Sequence, residues 1–283
     1  MSNIIFVSDY FSDELIGGAE LTSDAIITSC EKEVERIKSN MVDNSFIEDN
    51  LDKKWIFGNF INLKQNSIIK IIKSKIDYDV LEYDFKFCEM RSPEKHALAS
   101  GGCDCNSRFN GKLVSLFFSK SRKIWFMSEK QREKYFSSFR FLKDNKTEVL
   151  SSVFKDDNLL KMRNIDKNKN NKFVILNSPS WIKATNNCIK YAIENKLNYD
   201  LVSNLSHDEM LVKLASSMGL IFLPSGGDTC PRITIEAKLL DCELRLNDNV
   251  MHKDEAWFSG DVEATLSYLK NNKKRFWDCV NEG

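Results

Sequence analysis

The sequence predicts an α/β protein with two doubly wound domains, each built on a parallel sheet. Short apolar runs alternate along the chain with segments of helical character, an order typical of parallel strands joined by crossover helices. A mostly polar segment at residues 161–172 separates two such halves. The 283 residues suffice for two domains of ordinary size. We therefore expect one domain at residues 1–160, a linker or loop at 161–172, and a second domain at 173–283.

The individual elements follow from the apolar runs and from helical periodicity. In the first half we predict strands at residues 4–8, 55–57, 80–83, 123–127 and 147–150. The helices between them are predicted at residues 20–30, 67–74, 112–120 and 129–136. In the second half we predict strands at residues 173–177, 200–202, 219–223 and 243–247. The corresponding helices are predicted at residues 187–195, 207–218, 232–240 and 262–271.

The most informative segment is residues 223–237, LPSGGDTCPRITIEA, which continues the predicted strand 219–223 through a glycine-rich turn into a helix. The helix opens near Pro231, a residue that fits an early helical position because its nitrogen carries no hydrogen. The N–H groups of a first helical turn and the positive end of the helix dipole attract phosphate. Gly226 and Gly227 allow a ligand to approach the backbone closely.

Charged side chains surround this turn. Arg232 supplies a forked cation, while Asp228 and Glu236 place a carboxylate on either side of the turn. A site for phosphate alone has little use for carboxylates, but both acids can accept hydrogen bonds from sugar hydroxyls. The turn therefore indicates a nucleotide-sugar site.

Two further segments extend this pattern. Near the start, the apolar run 4–7 is followed by Gly17-Gly-Ala-Glu20, which opens a helix. In the second half, Val174-Ile-Leu-Asn-Ser178 is followed by Trp181-Ile-Lys183. Together with the turn at 223–237, these segments resemble the retaining GT-B glycosyltransferases of the "glycosyl transferases group 1" family. The resemblance implies two Rossmann-like domains facing a cleft, in a short version of that fold.

The resemblance also implies the chemistry. The donor is a nucleoside-diphosphate sugar bound by the C-terminal domain, and a hexosyl or pentosyl group passes to the acceptor with retention and without a covalent intermediate. Lys183, Arg232 and the helix start near Thr229 would stabilise the leaving diphosphate, so no catalytic metal is expected. Glu236 would accept from the ribose hydroxyls. Asp228 would hold the donor sugar, although the family usually has Glu there.

The donor-binding residues expected from the resemblance are Gly17, Gly18, Glu20, Gly226, Gly227, Thr229, Cys230 and Glu236. Members of the family often end in a helix that returns to the first domain. Phe276, Trp277 and Val280 lie at helical spacing near the end of this chain. They predict either such a return or an amphipathic cap on the second domain.

A separate cluster lies in the first half. Cys88, His96, Cys103 and Cys105 occur close together in a glycine-containing stretch. Three thiolates and one imidazole make a complete tetrahedral set for structural zinc, although Cys-x-Cys is tighter than the usual Cys-x2-Cys. The alternatives are free cysteines in a loop, or a His96 that contacts the donor or acceptor sugar.

The acceptor side is expected in the N-terminal domain. Glu82, Asp84, Arg91 and His96 lie within or after the strand predicted at 80–83, and doubly wound sheets keep their sites at strand carboxyl ends. A solvated loop accounts for the same charges. The acceptor class stays open between a glycan, a lipid-linked sugar, a protein, a small molecule and a modified DNA base.

Composition narrows the class of protein. Lys plus Arg and Asp plus Glu both number 41, so there is no global basic field of the kind that marks nucleic-acid binding. The start of the sequence lacks the basic and apolar regions of a signal peptide. We therefore expect a cytoplasmic protein with no transmembrane segment, whose eight cysteines are thiols or metal ligands rather than disulfides.

Two other classes of function remain open. One is a catalytically inactive protein that binds a nucleotide sugar through Lys183 and Glu236. The other is a metal-bearing nucleic-acid interaction protein built on the cysteine cluster, with basic segments at 120–123 and 130–134 and interleaved aromatic residues. Aromatic core faces beside charged solvent faces account for those last segments equally simply.

Overall fold

A computed structural model describes residues 3–282. The chain divides into two compact units: the first runs to Val153 and includes the segment from Asn272 onward, and the second is Phe154–Asn271. Each unit contains one sheet in which every described strand pair is parallel. The α/β class and the two Rossmann-like domains are confirmed. No helix among residues 3–282 combines the length and the apolar character that crossing a bilayer requires.

The first unit is a doubly wound sheet. Its strands are β1 (Ile4–Ser8), β2 (Val34–Lys38), β3 (Lys54–Phe57), β4 (Tyr78–Glu82), β5 (Lys123–Phe126) and β6 (Thr147–Val149). They lie in the order β2-β1-β3-β4-β5-β6, so the chain reverses direction across the sheet between β1 and β3. The helices are α1 (Gly18–Thr28), α2 (Asn44–Glu48), α3 (Gln65–Ser74), α4 (Pro93–Ser100), α5 (Phe109–Lys120) and α6 (Glu129–Ser138).

An aromatic core holds the first unit together. Phe57 packs against Phe117 with ring centroids 5.1 Å apart, and Tyr78 stacks on Phe117 at 4.6 Å. Phe117, Phe118 and Trp125 are fully buried. These three residues therefore belong to the core, as the simpler interpretation of the aromatic residues in these segments expects.

The second unit carries a smaller sheet. Its strands are β7 (Phe173–Leu176), β8 (Tyr199–Val202), β9 (Gly219–Phe222) and β10 (Glu243–Leu246), in the order β10-β9-β7-β8. The helices of this part are α7 (Asp156–Asn164), α8 (Thr185–Glu194), α9 (His207–Ala215), α10 (Arg232–Leu239), α11 (Ala256–Ser259) and α12 (Val262–Glu282). A capping box formed by Ser206 and Glu209 fixes the start of α9.

The structure differs from the sequence prediction at several elements. Strand β2 was not predicted, because none of its residues is fully buried and its sequence, VERIK, lacks a clear apolar run. Helix α4 was missed because of its shortness and weak amphipathic pattern. Helix α7 extends into the predicted linker, where Met162 is fully buried. The compact units accordingly divide after Val153 rather than within residues 161–172.

The end of the chain returns to the first unit. The long helix α12 begins in the second unit, and its residues from Asn272 onward group with the first. Phe276 is fully buried with its ring centroid 5.1 Å from that of Trp125, and the Trp277 indole donates to the Ile26 carbonyl at 3.0 Å. Of the two predicted roles for this helix, the return to the first domain is the one observed.

Removing the Phe276 ring tests the contribution of this return to stability. We expect Phe276→Ala to lower the free energy of unfolding by about 3–5 kcal/mol, because it deletes a buried aromatic side chain and leaves a cavity. Urea unfolding followed by tryptophan fluorescence measures the change. Lys274→Ala, at an exposed position of the same helix, is the control and should stay within about 0.5 kcal/mol of the wild type. Equal stabilities for the two variants would contradict the packing described.

Candidate functional site

In the second unit, the sheet order creates a topological switch point between β7 and β9. β7 lies between β8 and β9, so the chain winds outward in opposite directions from β7. Open parallel sheets bind ligands outside the strand carboxyl ends at such a switch point. The chain after β7 forms the turn Trp181–Lys183, and the chain after β9 forms the glycine-rich turn. The predicted donor residues of this half therefore lie where the topology favours binding.

Lys183 and Asp228 meet at this switch point. The Lys183 ammonium lies 3.2 Å from the Asp228 carboxylate and 5.0 Å from the centroid of the Phe222 ring. The backbone of Asp228 is fixed by hydrogen bonds to the next strand connection: its N–H donates to the Asn249 carbonyl at 2.8 Å, and the Met251 N–H donates to its carbonyl at 3.0 Å. The turn is thus held in place by backbone pairing, and a lysine reaches it from the neighbouring strand.

A buried charged group lies at the start of α10. Arg232 and Glu236 are 6 % and 4 % exposed, and the Arg232 guanidinium stacks 3.8 Å above the centroid of the Phe154 ring. Glu236 Oε1 lies 2.9 Å from His207 Nε2 and 3.8 Å from Arg232 Nε. Within residues 3–282, both of these contacts use Oε1, so Oε2 can accept from a ligand. His207 was not among the predicted site residues, although its position after β8 places it at a strand carboxyl end.

The remaining residues of the turn are arranged around these side chains. Gly226, Thr229 and Cys230 are buried, and Gly227 is half-buried. Asn247 and Asn249 donate to the Pro224 carbonyl at 3.0 and 2.8 Å and so close the other side of the turn. A cavity of about 690 Å³ opens beside it, lined in part by Trp181, Thr185, Asn204 and Ser225. The carboxyl ends of β7, β8 and β9 therefore border open space.

The first unit has its own switch point, between β1 and β3. Gly17 caps α1, Gly18 begins it, and the buried Glu20 side chain folds back against Gly17. A side chain at position 17 would displace that carboxylate from its place against the turn. Burial raises the pKa of Glu20, and a hydrogen bond with Asn59 opposes the shift. The glycine turn therefore presents backbone, while the Glu20 carboxylate is engaged within the unit.

Among the predicted acceptor residues, Asp84 and Arg91 form a partly exposed pair, whereas Glu82 is buried. Arg91 Nε donates to Asp84 at 2.7 Å and its guanidinium donates to Asn59 at 2.9 Å, at the strand carboxyl ends. Glu82 is fully buried: it accepts from Lys86 at 2.7 Å and from the Tyr135 hydroxyl at 2.8 Å. Burial raises the pKa of Glu82 and Lys86 opposes this. The expectation that Glu82 contacts an acceptor is corrected, because its carboxylate is internal.

His96 belongs to the cysteine cluster. Cys88, His96 and Cys105 are buried and Cys103 is half-buried, and their ligand atoms all lie within 4.8 Å of one another. His96 is 3 % exposed, its Nδ1 faces the Cys88 and Cys105 sulfurs, and its Nε2 lies 3.3 Å from the Glu89 carboxylate, so both ring nitrogens face protein groups and the alternative assignment to a sugar is corrected. Burial raises the pKa of the Cys88 thiol to about 12 and also raises that of Cys105. The four side chains form one contiguous group, as the spacing predicts.

Comparison with known proteins was made at the level of sequence and of fold. No known family model matches the chain, and no curated protein matches it by sequence. Among solved structures, HepE from Anabaena with UDP and glucose matches with a TM-score of 0.53 at 10 % identity, over 97 % of this chain and 94 % of that one. A trehalose-6-phosphate synthase, studied for glycosyl transfer with retention, gives a TM-score of 0.56 at 9 % identity over 99 % and 96 %.

An α-glucosyltransferase in complex with UDP adds a third match, with a TM-score of 0.50 at 8 % identity over 98 % of this chain and 94 % of that one. These identities are low, so the likeness concerns the fold. The structural match covers nearly the whole length of this chain and of each of the three solved structures. The chain therefore has the GT-B type of architecture from end to end, as its sequence motifs predict.

His252 follows β10 near the donor turn, and its environment makes it a core residue. The ring is fully buried, stacks on Trp257 with centroids 5.4 Å apart, and lies 3.3 Å from the Thr234 hydroxyl through Nε2. Burial lowers the pKa of His252 from 6.5 to about 3. The folded protein therefore keeps this imidazole neutral over a pH range in which the unfolded chain binds a proton.

This difference predicts a pH-dependent loss of stability. The contribution of a neutral buried His252 is complete above pH 6.5 and is lost as the pH falls from 6.5 towards 3. Between pH 7.5 and 5.5 the wild type should lose about 1.4 kcal/mol more unfolding free energy than His252→Phe, which retains the ring stacking without the titrating group. Urea unfolding at both pH values provides the comparison. Parallel pH profiles for the two proteins would show that His252 titrates normally when folded.

Proposed function

We propose that the protein is a glycosyltransferase that moves a hexosyl or pentosyl group from a nucleoside-diphosphate sugar to an acceptor with retention of configuration. The donor binds to the second unit, outside the carboxyl ends of β7 and β9. The observation that carries this proposal is the group formed by Arg232 and Glu236 on α10 and His207 at the start of α9, with Lys183 on the adjacent strand connection. This group offers cations, a helix N-terminus and a carboxylate within one small region.

The cations serve the departing diphosphate. Transfer breaks the bond between the anomeric carbon and a phosphate oxygen, and that oxygen keeps the electron pair, so negative charge grows on the leaving group. Lys183, Arg232 and the N–H groups at the start of α10 stabilise this charge electrostatically. Lys183 is paired with Asp228 at 3.2 Å before the donor binds, and the diphosphate takes over this ammonium.

Glu236 serves the nucleoside. Its Oε1 is held by His207 and lies near Arg232, which orients the carboxylate and leaves Oε2 to accept from a ribose hydroxyl. A buried carboxylate that binds a ligand hydroxyl must be held in a fixed orientation. A displacement of about 1 Å would weaken its hydrogen bond to that hydroxyl. His207 is therefore proposed as a positioning residue for Glu236. Asp228 faces the donor sugar once the diphosphate has displaced it from Lys183.

Uracil is the proposed base of the donor nucleotide. The support comes from solved structures of the same fold. HepE and the α-glucosyltransferase were solved with UDP, and HepE also with UDP-glucose. Retention is supported by the family resemblance and by the similar fold of the trehalose-6-phosphate synthase. In a retaining mechanism of this kind, the acceptor attacks on the face that the diphosphate leaves, and a phosphate oxygen takes its proton.

The acceptor is proposed to bind to the first unit. Asp84 and Arg91 lie at the carboxyl edge of that sheet, next to Asn59 and close to the switch point of β1 and β3. Gly17 and Gly18 offer backbone N–H groups on the same edge. A cation and a carboxylate that already pair can both exchange their partners for ligand hydroxyls.

The donor site can be tested by ligand-induced stabilisation. UDP, GDP, ADP, CMP and TDP and their sugar conjugates are added separately to the wild type, and the melting temperature is measured. A ligand at about one hundred times its dissociation constant should add about 2.7 kcal/mol, which is several degrees. We expect UDP and a UDP-sugar to stabilise the wild type and to have little effect on Glu236→Gln. The glutamine amide has one acceptor oxygen, whereas the carboxylate has two.

Glu194→Gln is the matched control, since Glu194 is an exposed helical acid that pairs only loosely with Lys190 at 3.8 Å. It should respond to UDP as the wild type does. Loss of the UDP response in both variants, or in neither, would overturn the placement of the nucleoside at Glu236.

Turnover is tested on the wild type and on Lys183→Ala. The wild type should release UDP from UDP-glucose when acceptor candidates are supplied, and Lys183→Ala should release it at least about 100-fold more slowly, since one transition-state charge contact is lost. Binding of UDP with no turnover for any acceptor would instead support the inactive binding protein. Product anomers identified by NMR decide between retention and inversion.

A further inference from the structure

The cysteine cluster of the first unit has no role in the proposed sugar transfer, and its geometry is specific. Cys88 lies beyond the end of β4, His96 lies on α4, and Cys103 and Cys105 lie in the connection to α5. Cys88 Sγ lies 3.7 Å from His96 Nδ1 and 3.8 Å from Cys103 Sγ. Cys105 Sγ lies 3.1 Å from His96 Nδ1. Four potential ligands from three chain segments thus converge on one point.

The Cys88–Cys103 separation matches a sulfur–sulfur edge of a metal-centred tetrahedron, and the two sulfur–nitrogen distances lie on either side of its sulfur–nitrogen edge. A Zn²⁺ ion with Zn–S bonds of about 2.3 Å and a Zn–N bond of about 2.0–2.1 Å keeps two sulfurs about 3.8 Å apart, and a sulfur and a nitrogen about 3.5 Å apart. A disulfide would instead require two sulfurs at about 2.05 Å. The sulfur–sulfur distance of 3.8 Å therefore fits shared metal ligation and does not fit a disulfide.

The outer contacts of His96 fit the same assignment. Its Nδ1 faces the sulfurs, while its Nε2 lies 3.3 Å from the Glu89 carboxylate. A histidine that binds a metal usually donates its other ring N–H to a carboxylate, which fixes the tautomer and makes the ligating nitrogen more basic. Arg108 in turn contacts Glu89 at 3.4 Å and Asp104 at 2.7 Å, and so joins the two loop segments that carry the ligands.

The backbone around the cluster is tightly built. Ser92 caps α4 by accepting from the Lys95 N–H, and this positions His96 on the first turns of the helix. Gly111 on α5 lies so close to the Cys105 carbonyl that any added Cβ would overlap it. The Cys105 segment is therefore seated against α5 by main-chain contact, and the ligand positions do not depend on a loose loop.

We propose that Cys88, His96, Cys103 and Cys105 bind one Zn²⁺ ion. The protein supplies all four ligands, so the site has no open coordination position and its role is structural. The ion ties the chain after β4 to α4 and to the start of α5. This segment carries Arg91, so the metal also supports the Asp84–Arg91 pair at the edge of the sheet. The site stands independently of the donor chemistry.

Metal content of the full-length chain is the first measurement. Protein purified without a histidine tag or chelator should contain about one zinc per chain by inductively coupled plasma mass spectrometry. Cys88→Ser and Cys105→Ser should lose the zinc, while Cys30→Ser, at a cysteine outside the cluster, should keep it. No zinc in the wild type, iron in its place, or a mass lower by two hydrogens that marks a disulfide would overturn the proposal.

Two further measurements do not require the cysteine variants to fold. Stripping zinc from the wild type with a chelator should lower the melting temperature by several degrees, and zinc alone should restore it. Glu89→Ala removes an exposed carboxylate and should weaken zinc binding by about 10–100-fold while the fold persists. Glu48→Ala, at another exposed and ion-paired acid, should leave zinc affinity unchanged. Unchanged affinity in Glu89→Ala together with an unchanged melting temperature after stripping would refute the site.

Discussion

Parallel strand pairing is the constraint that decides where the chemistry of this chain lies. Because all strands of a sheet point the same way, their carboxyl ends and the loops that follow share one edge. In the first unit, Asp9 follows β1 and accepts from the Ile61 and Asn62 N–H groups, which follow β3, at 2.9 and 3.0 Å. In the second unit, Lys183 follows β7 and meets Asp228, which follows β9. Residues far apart in sequence are thus brought together by topology.

Burial of charge alone does not show which carboxylates have acceptor capacity left for a ligand. Glu82 and Lys86 are both buried: the Glu82 carboxylate accepts from the Tyr135 hydroxyl and from the Lys86 ammonium, and that ammonium also donates to the Leu81 carbonyl. Breaking such a pair would cost about 3–5 kcal/mol because an uncompensated charge would remain inside. Glu236 is almost as deeply buried, but its partners engage only Oε1 within the described chain. The difference lies in unsatisfied acceptor capacity rather than in depth.

The sequence was sufficient to predict the elements that carry a continuous apolar signal. Strands β1, β7 and β9 consist almost entirely of buried residues, so their runs identify them directly. Strand β2 pairs with β1 at the edge of the sheet and keeps every side chain partly in solvent, so its existence depends on tertiary pairing that no local pattern encodes. Helix α7 has the same limitation, since only Leu159 and Met162 anchor it.

How well the sequence predicts a group of side chains depends on whether its members are close together in the chain. The charges at the end of β4 looked equivalent in sequence, yet Glu82 is the last residue of the strand and is buried, while Asp84 lies in the connection that follows and pairs with Arg91 at the edge of the sheet. His207 could not be paired with Glu236 from sequence, because the contact joins the starts of two helices. The cysteine cluster was predictable as a group, since its members are close in the chain. Whether His96 faces the cysteine sulfurs or a sugar could be decided only from its surroundings in the structure.

The shorter acid at position 228 fits the local geometry. Its backbone is fixed on both sides, by the Asn249 carbonyl and the Met251 N–H, so the side chain alone determines how far the carboxylate reaches. From that fixed point Asp already contacts the Lys183 ammonium at 3.2 Å. A Glu at this position would extend one methylene further. The shorter side chain therefore keeps the carboxylate next to the Lys183 ammonium, which lies over the Phe222 ring.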